Sequence, residues 1–175
     1  GVTVGKDGRV YAPDPCDHTV RIYAANLQPQ ATLGISGQGG SDNAHLGDPG
    51  DVAVDSAGLI YVSDRSNHRV QVFGADRTYR RTIGTTGECG NDFAHLCSPN
   101  KLTVDAADRL YVADSDNSRV QVFDKDGAYL TTVGGSYGTR SSQMQSADGV
   151  AIGPNGDLYV SEWGGMRVQR FARGV

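Results

Sequence analysis

Nowhere does the sequence hold an apolar run approaching the ~18 residues that a membrane-spanning helix needs. No segment keeps helical periodicity over the ten or more positions of a helix. Basic residues are not in excess: 16 Lys and Arg stand against 20 Asp and Glu, a formal net charge of −4, so no global positive field draws nucleic acid. No signal-peptide pattern stands at the start, and because the sequence opens on Gly1 rather than Met, that start excludes nothing. Aromatic residues make up 7% and hydrophobic residues 38%, with 24 Gly, the profile of many turns with small cores between sheets.

What is present is repetition. "DRSNHRVQVF" from Asp64 returns as "DSDNSRVQVF" from Asp114, 50 positions on, and the same step joins Val52 to Leu102, Tyr61 to Tyr111 and His45 to His95. Stepping back reaches Val2, Tyr11, Asp14 and His18, and a step of 48 forward from Leu102 reaches Val150. Four units result, 1–49, 50–99, 100–147 and 148–175.

Each unit reads as short strands. In the second unit "DVAVD", "LIYVSD", "RVQVF" and "YRRTIG" are rich in β-branched and aromatic residues, and "SAG", "RSN" and "GAD" separate them. "LIYVSD" is nearly continuous in apolar residues, as a strand buried on both faces should be, while "RVQVF" alternates Val70 and Val72 with Gln71 and Phe73. A unit of about 50 residues with four antiparallel strands that cannot bury its own faces predicts a propeller blade.

"GLIYVSDRSNHRVQVF", "RLYVADSDNSRVQVF" and the "PGDVAVD" and "PNKLTVD" that open the inner strands resemble the NHL repeat family. The resemblance implies an all-β propeller of four-stranded antiparallel blades, usually six, with the "VAVD" strand nearest the central channel. Unit 1, with "PDPCDHTVRIY", and unit 4, with "SEWGGMRVQRF", depart from the signature. Six blades of about 50 residues need on the order of 300 residues. The expectation is therefore about four blades of a larger ring, completed by further blades or another chain. Val175 falls just before an outer strand would begin, so the last unit is expected to lack its fourth strand.

Cys89 and Cys97 stand eight positions apart in "GECGNDFAHLCSP", where the equivalent loop of unit 1 has Gly39 and Gly47. They vary as a pair, which predicts a disulfide rather than two free thiols and points outside the cytosol, to a secreted, periplasmic or cell-surface protein. Cys16 is left to a further partner or free.

The loops between units are far longer than the usual ~4 to 6 residues. In a propeller they share one face with the turn between second and third strands, so that face is where recognition is expected. Asp48, Asp51, Asn100, Lys101 and Asp148 stand at the inner-strand entrances and would line the channel mouth; Arg65 and Trp163 sit in the signature turns above them. Trp163, followed by two glycines, reads as a contact for sugar or protein, or as packing against a following blade. Asp64 and Asp114 are expected to cap their own turns, Asn67 and Asn117 to take left-handed geometry, and Arg69 and Arg119 to bridge back across the hairpin.

His45 and His95 are candidate zinc ligands. The weightier reading is that "AHL" packs the loop onto its blade and that His18 and His68 hold a turn. Asp55 and Asp105 read as turn formers, with Ca²⁺ the ion a carboxylate at the mouth would take; no resident cofactor is otherwise expected. NHL-like propellers include the lyase that cleaves peptidyl-hydroxyglycine, whose zinc-binding His follow the Pro at the inner-strand entrances. Here Gly50 and Asn100 occupy those places, and the signature turns hold no Tyr. The missing ligands thus favour a binding or scaffold module for a protein or glycan, while the net charge counts against nucleic-acid binding and the lack of long apolar runs against membrane insertion. The alternative is a metal-assisted lyase or hydrolase centred at the channel mouth.

Overall fold

The computed structural model describes residues 1–172. They form a fan of antiparallel sheets, each built from consecutive strands. Blade 1 comprises β1 (Thr3–Val4), β2 (Val10–Asp14), β3 (Thr19–Tyr23) and β4 (Pro29–Leu33). Blade 2 comprises β5 (Pro49–Val54), β6 (Ile60–Asp64), β7 (Arg69–Phe73) and β8 (Tyr79–Ile83). Blade 3 is β9 (Pro99–Val104), β10 (Leu110–Asp114), β11 (Arg119–Phe123) and β12 (Tyr129–Gly134). Blade 4 is incomplete, with β13 (Ala147–Ile152), β14 (Leu158–Glu162) and β15 (Arg167–Phe171) among the described residues. Val175, which the repeat places short of an outer strand, lies outside them.

The turn between first and second strands shows why the sequence breaks where it does. Asp55 Oδ1 accepts the N–H groups of Ala57 (2.9 Å) and Leu59 (2.8 Å), closing an Asx turn, and Gly58 takes φ +83°. Asp105 repeats this with Ala107 and Arg109. Both carboxylates therefore belong to the short-turn end, away from the long loops and the mouth they surround.

Alternation of side chains gives each blade two apolar faces, and successive blades stack through them. Tyr61, Val70, Val72 and Ile83 of blade 2 meet Leu102, Leu110, Val112 and Phe123 of blade 3. The corresponding residues join blade 1 to blade 2 and blade 3 to blade 4. β6, β10, β7 and β11 are buried along their whole length. The "RVQVF" strand is thus as enclosed as "LIYVSD", because its Gln71 and Gln121 lie beneath the inter-blade loops, donating to Asp42 O and Asp92 O.

Inner strands of successive blades lie side by side. Thr3 Oγ1 donates to Val52 O, and Asp51 Oδ2 accepts the Leu102 N–H at 3.1 Å. The signature turns and the inter-blade loops share one end: Arg65 N donates to Asp48 O and Asp116 N to Cys97 O.

Candidate functional site at the channel mouth

The repeated phrase works as a clamp on the loop that precedes its blade. Asp64 accepts the N–H groups of Gly47 (2.8 Å) and Asp48 (3.2 Å) at the end of that loop. Asn67 Nδ2 donates to Gly40 O. Arg69 reaches the carbonyls of Ser41, Asp42 and His45 while its Nε pairs with Asp64 at 3.0 Å. Blade 3 repeats the arrangement with Asp114 on Cys97 N, Asn117 on Gly90 O, and Arg119 on Asn91, Asp92 and His95. Blade 4 keeps it with Glu162 on Gln145 N and Arg167 on the carbonyls of Thr139 and Gln143.

The Asp therefore caps the incoming loop and not its own turn; neither 3-10 turn has a side-chain cap. The left-handed residue is the one after the Asn: His68 at φ +54° and Ser118 at φ +52°. From there the histidines hold the next loop, with His68 Nδ1 accepting the Ser98 N–H and His18 Nδ1 on Gly47 O.

Asp64 and Arg69 are 0% and 1% exposed, an ion pair out of water whose lone pairs and protons are met by backbone groups, as burial requires. Burial pushes the Asp114 carboxyl above its usual value, against the downward pull of the Cys97 N–H, Asn117 and Arg119. At Glu162 burial also pushes up, but Arg167, the Gln145 N–H and Gln169 outweigh it and hold the group below its usual value.

With loops fixed in this way, positions that the clamp does not use are free to differ, and they differ at the mouth. The residue after the clamp carboxylate is Pro15, Arg65, Ser115 and Trp163 in blades 1 to 4; the inner-strand entrance reads Gly50, Asn100 and Asp148 in blades 2 to 4. Arg65, Ser98, Asn100, Ser115, Ser146, Asp148 and Trp163 line one pocket of about 290 Å³ across three blades.

Arg65 Nη2 donates to Asp48 Oδ1 at 2.9 Å, and its buried Nε has no partner among the described residues. Asn100 Nδ2 donates to Asp148 Oδ1 at 2.6 Å. Trp163 is 78% exposed, yet its backbone is fixed by the bonds of Trp163 N to Ser146 O and Gly164 N to Gln145 O.

Arg65, Asn100, Asp148 and Trp163 are thus brought together, with Asp48 attached through Arg65. Asp51 is buried and engaged by Leu102 N and Lys101 Nζ (3.5 Å), which places both residues in the seam between β5 and β9 and not in the pocket. The serines were missed in the sequence. Their signal was positional: Ser115 stands one repeat from Arg65, and Ser98 and Ser146 correspond to Asp48.

His45 and His95 lie in the loops and each binds an aspartate of its own loop, Asp42 and Asp92, at 2.7 Å. Among the described residues no three metal-ligating side chains stand together. Leu46 and Leu96 beside them are fully buried between blades. Cys89 and Cys97 are bonded, with Cα atoms 4.5 Å apart, and Cys16 is exposed. A second hollow, at the short-turn end, is lined by Asp105, Arg109 and the Ile152–Gly156 turn, but Arg109 there is engaged by Asp105 at 2.7 Å.

A family model, NHL repeat, matches residues 46–73 and 96–123. The chain carries NHL repeats. Each matched span begins at the buried Leu of "AHL" and ends with the third strand, so it contains the clamp carboxylate, Asn and Arg. No curated protein matches the chain.

Among solved structures, a chain of the nidogen/laminin complex aligns at 20% identity and TM-score 0.73, over 95% of this chain and 57% of that one. Streptogramin B lyase aligns at 13% identity and TM-score 0.70, over 99% and 54%. An auxiliary nutrient binding protein from Bacteroides thetaiotaomicron aligns at 14% and 0.69, over 94% and 45%. At these identities the likeness is one of fold, the β-propeller, and the NHL chain spans about half the length of these structures.

Proposed function

We propose that the chain is part of an extracytoplasmic binding or scaffold module whose ligand, a protein or glycan, docks on the loop-rich face over the channel mouth. One observation carries this reading: side chains that differ from blade to blade, Arg65, Ser115, Trp163, Asn100 and Asp148, converge on one pocket, while the repeated side chains hold loops.

The Cys89–Cys97 bond, of a kind that persists in oxidising surroundings, supports an extracytoplasmic compartment. Among the described residues no helix is long and apolar enough to cross a membrane. The complex named for the nidogen/laminin structure and the nutrient-binding role named for the Bacteroides protein are compatible with this reading and carry no weight beyond the shared fold. The lyase alternative lacks a donor set in the described residues.

The test is an array of extracellular proteins and glycans probed with wild type and with an Arg65→Ser, Trp163→Ser variant. The reading predicts at least one ligand held by wild type and lost by the variant. Indistinguishable binding of the two to every ligand would contradict it.

A further inference from the structure

The pocket at the mouth has a chemistry narrower than "protein or glycan". Its apolar contribution is a single indole, Trp163, set beside hydroxyls and one amide–carboxylate pair. Arg65 is partnered by Asp48, so the uncompensated charge in the pocket is that of Asp148. An anionic ligand would meet Asp148 with the only guanidinium already paired, and the repulsion is felt most in a partly desolvated site. An apolar ligand would strand Asp148 Oδ2 and the hydroxyls of Ser98 and Ser146 without partners, which costs more than the contact returns.

A ligand that both donates and accepts in close pairs, and has one apolar face, satisfies all of these groups. The Asn100 Nδ2 bond occupies Asp148 Oδ1, and among the described residues no hydrogen bond occupies Oδ2, leaving it to accept from a hydroxyl. Asn100 Oδ1, beside it, can accept from a neighbouring hydroxyl in the same plane. Ser98 and Ser146 add rotating hydroxyls that donate or accept. The C–H face of a pyranose ring carries the partial positive charge that the face of an indole attracts. At about 290 Å³ the pocket is at the small end of the range for small-molecule sites, the size of one ring and not of a folded epitope.

We infer that the pocket formed by Arg65, Asn100, Asp148 and Trp163 is a subsite for one neutral sugar ring, stacked on Trp163 and held through two adjacent hydroxyls by Asp148 and Asn100. This rests on the reading of the mouth as a ligand-binding face.

Trp163 is the only tryptophan in the sequence, so intrinsic emission reports on the stacking residue alone. The experiment titrates the protein with neutral trisaccharides of glucose, mannose and N-acetylglucosamine, and with trigalacturonate as the acidic comparison. At least one neutral trisaccharide shifts the emission to the blue in a saturable way, and trigalacturonate does not. Asp148→Ala and Asn100→Ala, each confirmed as folded by circular dichroism, weaken that binding by roughly tenfold or more.

The assignment is overturned if no neutral trisaccharide moves the emission, if trigalacturonate binds as tightly, or if both variants bind like wild type. Should the trisaccharides fail while a protein from the array loses binding in the Arg65→Ser, Trp163→Ser variant, the sugar assignment falls and the binding face stands. Should the array variant bind like wild type, the binding face falls with it.

Discussion

The clamps and the mouth lie within a few residues of one another in blades 2 to 4, yet the sequence treats them differently. Asp64, Asn67 and Arg69 recur as Asp114, Asn117 and Arg119, each set bonded to the backbone of one loop, with the Asp and Arg buried. The next-door position runs through Pro15, Arg65, Ser115 and Trp163, with Trp163 open to solvent. What recurs is what each blade needs to fix a long loop; what varies has been released from that need. A repeat protein thus carries its own internal control for separating fold from site.

The sharpest way to break that comparison is at the clamp. Arg69→Ala leaves Asp64 buried without its ion pair and frees several loop carbonyls, so urea unfolding is expected to show a loss of about 3 to 5 kcal/mol. A loss below about 1 kcal/mol would mean the loop is held by something else. Next comes the disulfide that pins the "GECGNDFAHLCSP" loop. Replacing Cys89 and Cys97 by Ala is expected to lower unfolding free energy by roughly 2 to 3 kcal/mol, while the loop of blade 2, clamped without a disulfide, sets the comparison.

A smaller effect sharpens the boundary of the loop elements. The Asp92 hydrogen bond, helped by Glu88, raises the His95 pKa above its ordinary value. A raised imidazole contributes stability that is fully present below about pH 6.5 and is lost as pH rises through the folded value. An NMR titration should therefore find His95 titrating above a free imidazole, and Asp92→Asn should return it toward that value. An unshifted His95 in wild type would remove the bond from the account.

Much of the fold was legible because its determinants are side chains repeated at a fixed step: the strands, the Asx turns at Asp55 and Asp105, and the Cys89–Cys97 pair. The clamp was only half legible. Its donors are in the signature, but its acceptors are carbonyls of Ser41, Asp42 and His45, and a backbone carbonyl leaves no mark in sequence. That is why Asp64 read as the cap of its own turn. At the mouth, Arg65, Asn100, Asp148 and Trp163 could be placed from strand position alone. Ser98, Ser115 and Ser146 could not, since serine is common in any turn, and the withdrawal of Asp51 into the seam depended on the Leu102 N–H of the neighbouring blade.

The central claim is that the mouth residues are dispensable for the fold, and urea unfolding of the Arg65→Ser, Trp163→Ser variant beside wild type, followed by circular dichroism, tests it most directly. Both substitutions install the residue that blade 3 already has at that position. The account predicts unfolding free energies that agree within about 0.5 kcal/mol per substitution, as for surface positions outside the packing and clamp. A loss approaching that of Arg69→Ala would contradict it, because the varied positions would then be as structural as the repeated ones.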